Sequence, residues 1–294
     1  FAVAQQADYI ALSFVSTPDD VVAARAILQE KNSGIPLIVK IERGEAVTRF
    51  ASILAVSDGI MVARGDLGVD IPLEKVPLVQ KQQIKECNQA GKPVITATQM
   101  LESMINSPRP TRAEVTDVAN AIFDGTDAIM LSAETSVGKY PVEAVKIMAQ
   151  IARETERQLP LERRLIERGR EVKLGTDEMI SYDACHTAHR LGAVAIVALT
   201  YSGSTAQRVS KYRPKVPILA ITPQHRIVGR LALGWGVHPF PMAVPSSLTE
   251  LFATGTRLAQ DLGLARSGDL VVITGGVPIG VRGTTNLLKV EKCP

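Results

Sequence analysis

Gly59-Ile-Met-Val-Ala63, followed without a break by Arg64-Gly65-Asp66, decides how the first half of this chain is read. Five apolar or small residues in a row, with no polar alternation, fit a strand buried on both faces. A cation, a glycine and a carboxylate then stand where that strand ends. Four other runs share the pattern: Tyr9-Ile-Ala-Leu-Ser-Phe14, Pro36-Leu-Ile-Val-Lys-Ile41, Pro93-Val-Ile-Thr-Ala97 and Ala128-Ile-Met-Leu131. Their starts lie 23–35 residues apart. Helix-period segments fall between them, among them Asp19 to Glu30, Leu78 to Gln89 and Glu114 to Phe123. Such alternation predicts parallel strands joined by right-handed crossovers.

Each predicted strand ends in a group suited to chemistry: Ser13, Lys40 with Glu42, Arg64-Gly65-Asp66, Thr98, and Ser132 with Glu134. In (β/α)8 barrels the site is assembled from the C-terminal ends of several strands. The expected fold class is therefore α/β: a partial (β/α)8 TIM barrel over residues 1–158, with about five of the eight units, followed by a smaller open α/β domain over residues 159–294. Arg153 to Lys173, charged and helix-prone, reads as the boundary element. Beyond it a helix from Thr176 to Leu191 leads to a strand at Ala193–Leu199. Further helices are expected near Thr205–Tyr212, Arg226–Leu233 and Leu248–Leu262, and strands at Val216–Ile221, Asp269–Thr274 and Leu287–Val290.

Composition narrows the classes. At 294 residues, 46% hydrophobic and 21% charged, the chain is an ordinary globular one of about two domains, not a disordered one. No run reaches the length of a membrane helix, and no signal peptide opens the sequence. Cys87, Cys185 and Cys293 form no CxxC pair, which fits a reducing cytoplasm and offers no zinc motif. The net charge of +3 divides unevenly, with 14 basic and 18 acidic residues in 1–150 against 19 and 12 in 151–294. That balance lacks the basic stripe of a nucleic-acid protein, and no membrane partner is expected. A basic second half suits small phosphorylated ligands, or simply solvated helix faces.

Lys40 and Glu42 stand two apart, so both side chains leave one side of the strand. Asp66 brings a second carboxylate to the neighbouring strand end, and Gly65 permits close backbone approach. Two carboxylates from adjacent strands suit a hard divalent cation with positions left for water and substrate. A nearby ammonium suits phosphoryl oxygens. A purely structural Lys–Glu–Asp ion-pair network is the alternative at this point. His186 and His189, an i, i+3 pair on one helix, read as packing or surface residues.

Several segments are shared with a known family. Ile10-Ala-Leu-Ser-Phe-Val15, Lys40-Ile-Glu42, Gly59-Ile-Met-Val-Ala-Arg-Gly-Asp-Leu-Gly68 and Ala97-Thr-Gln-Met-Leu-Glu-Ser-Met104 resemble pyruvate kinase. So do Pro108-Arg-Pro-Thr-Arg-Ala-Glu114, Asp117-Val-Ala-Asn-Ala121 and Ile129-Met-Leu-Ser-Ala-Glu-Thr135, and the likeness continues through the second domain. The resemblance implies Mg2+-dependent (or Mn2+-dependent) phosphoryl transfer from phosphoenolpyruvate to ADP, giving pyruvate and ATP in the cytoplasm. It implies that Lys40 stabilises the phosphoryl group in flight, that Glu42 and Asp66 hold the metal, and that backbone N–H groups at Gly65 and Asp66 hold the substrate carboxylate. Thr98 corresponds to the residue beside the enolate methylene, with a proton relay through water, Ser132 and Glu134, and Ser13 lines the same pocket. Arg64 and Arg112 correspond to residues linking the site to a subunit contact, in a homotetramer.

In the second domain Thr200-Tyr-Ser-Gly-Ser-Thr205 resembles the family's effector loop, where sugar phosphates or nucleotide monophosphates bind. Thr200, Ser202, Gly203, Ser204 and Thr205 are the expected ligands there. Thr274-Gly-Gly-Val-Pro-Ile-Gly-Val-Arg-Gly-Thr-Thr285 resembles the second loop of that pocket, bringing Arg282 and Gly283. An ordinary pair of Gly-rich turns is the alternative. The family's K+ ligands, an arginine for the substrate phosphate and a lid domain would precede residue 1. The chain, which opens with Phe1, is thus expected to be a C-terminal portion with two open sheet edges and little or no turnover by itself. Two other functions stay open: a phosphometabolite-binding regulatory fragment without catalysis, and another metal-dependent aldolase or lyase acting on enolpyruvate.

Overall fold

The computed structural model describes residues 1–169, 175–243, 245–278 and 284–294. The chain forms two compact units, Phe1–Leu159 and Pro160–Pro294.

The first unit is built on five parallel strands in sequence order: β1 (Ile10–Leu12), β2 (Leu37–Ile41), β3 (Gly59–Ala63), β4 (Val94–Ala97) and β5 (Ala128–Met130). Helices Pro18–Glu30, Phe50–Val56, Val76–Ala90 and Arg112–Asp124 provide the crossovers, and Pro141–Arg157 follows β5. This is an arc of a (β/α) barrel, as the strand spacing predicts. Burial follows position in the arc. β3 is buried at all five residues and β2 at four, whereas every residue of β1 and β5 keeps partial or full exposure. The reason is pairing: β1 and β5 each have a neighbour on one side only. Leu37, Val39 and Ile41 enter the main apolar cluster with Ile60, Val62 and Phe50. The alternate face of β2 carries Ile38 and Lys40.

Local chemistry sets the element ends. Thr111 starts the Arg112–Asp124 helix with a reciprocal capping box: Thr111 Oγ1 accepts from the Glu114 N–H, and Glu114 accepts from the Thr111 N–H. Gly125 ends that helix at φ 102°, a conformation no Cβ would share with the Asn88 amide lying 2.8 Å from its position. Lys92 donates to the carbonyls of Leu54 and Ala55 at the end of helix Phe50–Val56, where a cation meets the negative end of the helix dipole.

The second unit carries a sheet in the order β10-β9-β6-β7-β8: β6 (Ala195–Leu199), β7 (Ile218–Thr222), β8 (Val237–Pro241), β9 (Leu270–Gly275) and β10 (Leu287–Lys292). All pairs are parallel except β9 with β10. β6 and β7 are buried throughout, with apolar clusters on both faces. The expected helix Thr176–Leu191 stands as predicted. β8 was not anticipated. Its sequence Val-His-Pro-Phe-Pro holds two prolines, which argue against a central strand, and the structure places it at an edge, where missing N–H donors cost no ladder bonds. The charged boundary stretch resolves into the end of helix Pro141–Arg157 and helix Leu161–Gly169, with residues 170–173 outside the described residues.

Candidate active site at the carboxyl ends of the barrel strands

The five strands run parallel, so Ser13, Lys40, Arg64, Thr98 and Ser132 reach the same edge of the sheet. Lys40 Nζ donates to Ser13 Oγ at 2.9 Å and lies 2.5 Å from Glu42 Oε1. The i, i+2 spacing thus does what strand geometry predicts. Glu42 is 1% exposed, and its other oxygen, Oε2, accepts the backbone N–H of Phe14 at 2.6 Å. Phe14 makes that bond from a left-handed backbone, φ 58°, with the Arg43 guanidinium 5.6 Å above its ring. Sequence reasoning did not single out Phe14 or Arg43; no residue pattern marks a non-glycine residue for positive φ.

Glu42 and Asp66 offer oxygen ligands of the kind a hard divalent cation takes. Glu42 Oε1 is buried and faces the Lys40 ammonium at 2.5 Å, and Asp66 is exposed in the first turn of helix Arg64–Asp70 with no donor among the described residues. Among the described residues no cluster of three or more His, Cys, Asp or Glu could hold a metal. A cation held by two carboxylates alone would leave most of its coordination shell to water and substrate oxygens, as Mg2+ usually does at phosphoryl-transfer sites.

Thr98 also holds a left-handed backbone, φ 69°, as does Gln99 at 54°. A β-branched residue there is an outlier with a cost, sustained only where neighbours over-determine it. Thr98 Oγ1 accepts the Gly65 N–H at 2.8 Å and donates to the Ala97 carbonyl at 2.5 Å. The Gly65 N–H expected to hold a substrate carboxylate is thus engaged by Thr98 in this state. Arg64 Nη2 donates to the Thr98 carbonyl at 2.6 Å, Arg64 Nε to the Ala97 carbonyl at 3.3 Å, and Nη1 pairs with Asp117 at 2.7 Å. Arg112 lies on the helix of Asp117, and both arginines line an open cavity of about 480 Å3 with Gln80, Lys81 and Asp124.

Ser132 and Glu134 stand in the segment that follows β5. Glu134 is 3% exposed, and its oxygens accept the backbone N–H groups of Leu101 (3.1 Å) and Ser132 (2.7 Å). Neither oxygen meets Thr98 or the Ser132 hydroxyl among the described residues. In this arrangement the carboxylate holds backbone on both sides.

In the second unit Thr200 Oγ1 accepts the Gly203 N–H at 2.9 Å, closing the expected loop, and Gly203 adopts φ 92°. Ser202 and Ser204 hydroxyls lie 3.1 Å apart at the start of helix Ser204–Lys211. Thr205 Oγ1 meets Thr285 Oγ1 at 2.9 Å, so the two loops paired in the sequence reading do come together. Arg282 and Gly283 lie outside the described residues. His189 faces Glu162 at 3.1 Å and His186 stacks on Tyr182, consistent with packing and surface duty.

Comparison with known proteins places both units in one family. Residues 1–145 match the family model for the pyruvate kinase barrel domain and residues 178–291 that for the pyruvate kinase alpha/beta domain. The chain is 51% identical over 292 residues to a pyruvate kinase of Clostridium acetobutylicum, which covers 99% of this chain and 62% of that protein. It is 52% identical to a pyruvate kinase of Geobacillus stearothermophilus, covering 50% of it. A crystal structure of a pyruvate kinase from Cryptosporidium parvum superposes with a TM-score of 0.94 at 41% identity, over all of this chain and 60% of that one. The chain spans about half to three-fifths of the length of these relatives. With the barrel domain and the alpha/beta domain both matched, the chain belongs to the pyruvate kinase family.

Proposed function

We propose that this chain carries the C-terminal part of a pyruvate kinase active site, and that the complete site transfers the phosphoryl group of phosphoenolpyruvate to ADP. The observation that carries this reading is the Lys40 ammonium held between Ser13 and the buried Glu42 carboxylate at the strand ends. In the reaction the bond from phosphorus to the enol oxygen breaks and a bond to an oxygen of the ADP terminal phosphate forms. The enolate left behind takes a proton at its methylene carbon to give pyruvate. Lys40, 25% exposed, places positive charge where the phosphoryl oxygens gain negative charge. Glu42 and Asp66 would hold Mg2+ or Mn2+, which supplies charge neutralisation and substrate orientation when bound. Gly65, at the positive end of helix Arg64–Asp70, gives its N–H to the substrate carboxylate in exchange for Thr98. The Thr98 and Ser132 hydroxyls then face the enolate and deliver the proton through water, since a threonine hydroxyl alone is a weak acid.

The same proposal includes K+ bound by residues outside this chain, a homotetramer with Arg64 and Arg112 near a subunit contact, and a cytoplasmic location. No helix of the described residues is long and apolar enough to cross a membrane. It also assigns Thr200, Ser202, Gly203, Ser204 and Thr205, with Arg282 and Gly283, to a sugar phosphate or nucleotide effector. The meeting of Thr205 with Thr285 supports that pocket. The test is pyruvate formation from phosphoenolpyruvate and ADP with Mg2+ and K+, in this chain and in an amino-terminally extended one. Replacing Lys40 by Met is expected to cost at least about a hundredfold. Turnover in neither form overturns the proposal.

Trp235, the chain's single tryptophan, accepts from Ser210 near the end of helix Ser204–Lys211. A fluorescence change on adding a sugar phosphate or nucleoside monophosphate, without metal-dependent turnover, would favour the regulatory-fragment reading.

A further inference from the structure

We infer that Glu134 is a positioning residue that fixes Thr98 by clamping the chain three residues beyond it; the inference rests on the pyruvate kinase reading of this site. The segment Ala97–Leu101 contains two successive non-glycine residues in the left-handed region, Thr98 and Gln99. Such backbone persists only where its surroundings hold it from more than one side. One side is Arg64, whose guanidinium takes the Ala97 and Thr98 carbonyls and touches Met100 Sδ at 2.8 Å. The other is Glu134, whose Oε1 takes the Leu101 N–H. Glu134 is itself tied to β5 through Oε2 and the Ser132 N–H, so the carboxylate bridges the loops that follow two adjacent strands. Met100 and Leu101 are fully buried, which gives the clamp a rigid seat. A cation holding carbonyls and an anion holding an N–H divide the polar groups of one strained loop between them. Between these fixed points the Thr98 hydroxyl stands 2.8 Å from the Gly65 nitrogen.

The test replaces Glu134 by Gln, which turns an NH2 group toward one of the two amides, and by Asp, which keeps the charge but shortens the reach. Hydrogen exchange is followed in peptides covering residues 98–104 and 131–136, with 37–42 as an internal control for folding. The Gln variant is expected to exchange roughly tenfold faster in one or both segments, with the control unchanged. Positioning is read from the affinity for oxalate, a planar dicarboxylate resembling enolpyruvate, in the presence of Mg2+. Glu134→Gln is expected to weaken oxalate by roughly tenfold in the native background and to add nothing in a Thr98→Ala background, the non-additivity of residues that act as one. The Asp variant is expected to fall between. Wild-type exchange and wild-type oxalate affinity in the Gln variant overturn the inference and return Glu134 to the proton relay. Multiplying losses in the double variant also overturn it. The oxalate arm is run in this chain and in the amino-terminally extended one; no oxalate binding by either wild-type form overturns the kinase reading, while faster exchange in that case marks a clamp of structure alone.

Discussion

Replacing Glu114 by Ala removes four hydrogen bonds at once. Its carboxylate accepts from Ser103 N–H (2.7 Å), Ser103 Oγ (2.6 Å), Thr111 N–H (2.7 Å) and Thr111 Oγ1 (2.9 Å). The Thr111 pair belongs to the exposed capping box and is worth about 1 kcal/mol. The Ser103 pair is partly buried, and losing its charged acceptor costs about 1.5–3 kcal/mol. Because the bonds share one carboxylate they do not add fully, and the expected loss is about 2–4 kcal/mol. Urea unfolding followed by far-ultraviolet circular dichroism measures it in the first unit. Trp235 fluorescence reports the second unit separately, since no other tryptophan is present. Burial raises the Glu114 pKa, but the Ser103 and Thr111 bonds outweigh it, so the folded value lies below the ordinary 4.5. A lowered carboxyl contributes stability fully above the unfolded value and loses it as pH falls through the folded one. The difference between native and variant chains is therefore constant near neutral pH and narrows below about pH 4.5, as the carboxylate's share is lost through the folded value. A loss under about 0.5 kcal/mol at pH 7, the usual effect of a surface change, would refute the reasoning.

Three other outcomes are expected. Gly59→Ala places a Cβ 2.5 Å from Ile38 Cδ1 and 3.0 Å from Pro93 at the start of β3, and should cost about 1–3 kcal/mol by urea unfolding. Tyr212→Phe removes a 2.5 Å bond to Glu178, which keeps Lys211 at 3.1 Å, so the loss should be limited to about 1–2 kcal/mol, read from the Trp235 transition. Burial pushes the thiols of Cys87 and Cys185 far up, so a thiol reagent at pH 8 should label them at the rate of unfolding. Labelling of either within the mixing time of the native protein would contradict that burial.

The strand-end chemistry was legible in sequence because a parallel strand has period 2 and one direction. Lys40 and Glu42 must share a side, and residues following five parallel strands must share an edge. The apolar runs of β3, β6 and β7 likewise declared strands buried on both faces. β8 escaped because two prolines suppress the strand signal and only its place at the sheet edge makes them tolerable. The family resemblance supplied roles for Lys40, Thr98 and Glu134 but no geometry.

What the amino-acid order determined alone was local: which segments become strands and helices, where they cap, and which functional groups stand at their ends. Hydrophobic period, glycine and proline placement and the Thr111–Glu114 box act over a few residues, so they can be read in one dimension. Tertiary structure decided what those groups do. Glu134 lies 33 residues from Leu101 and Arg64 34 from Thr98, and only the packing of adjacent strands turns them into the two halves of a clamp. The left-handed backbone of Phe14 and Thr98 has the same origin: local sterics disfavour it, and long-range partners such as Glu42 and Arg64 stabilise it.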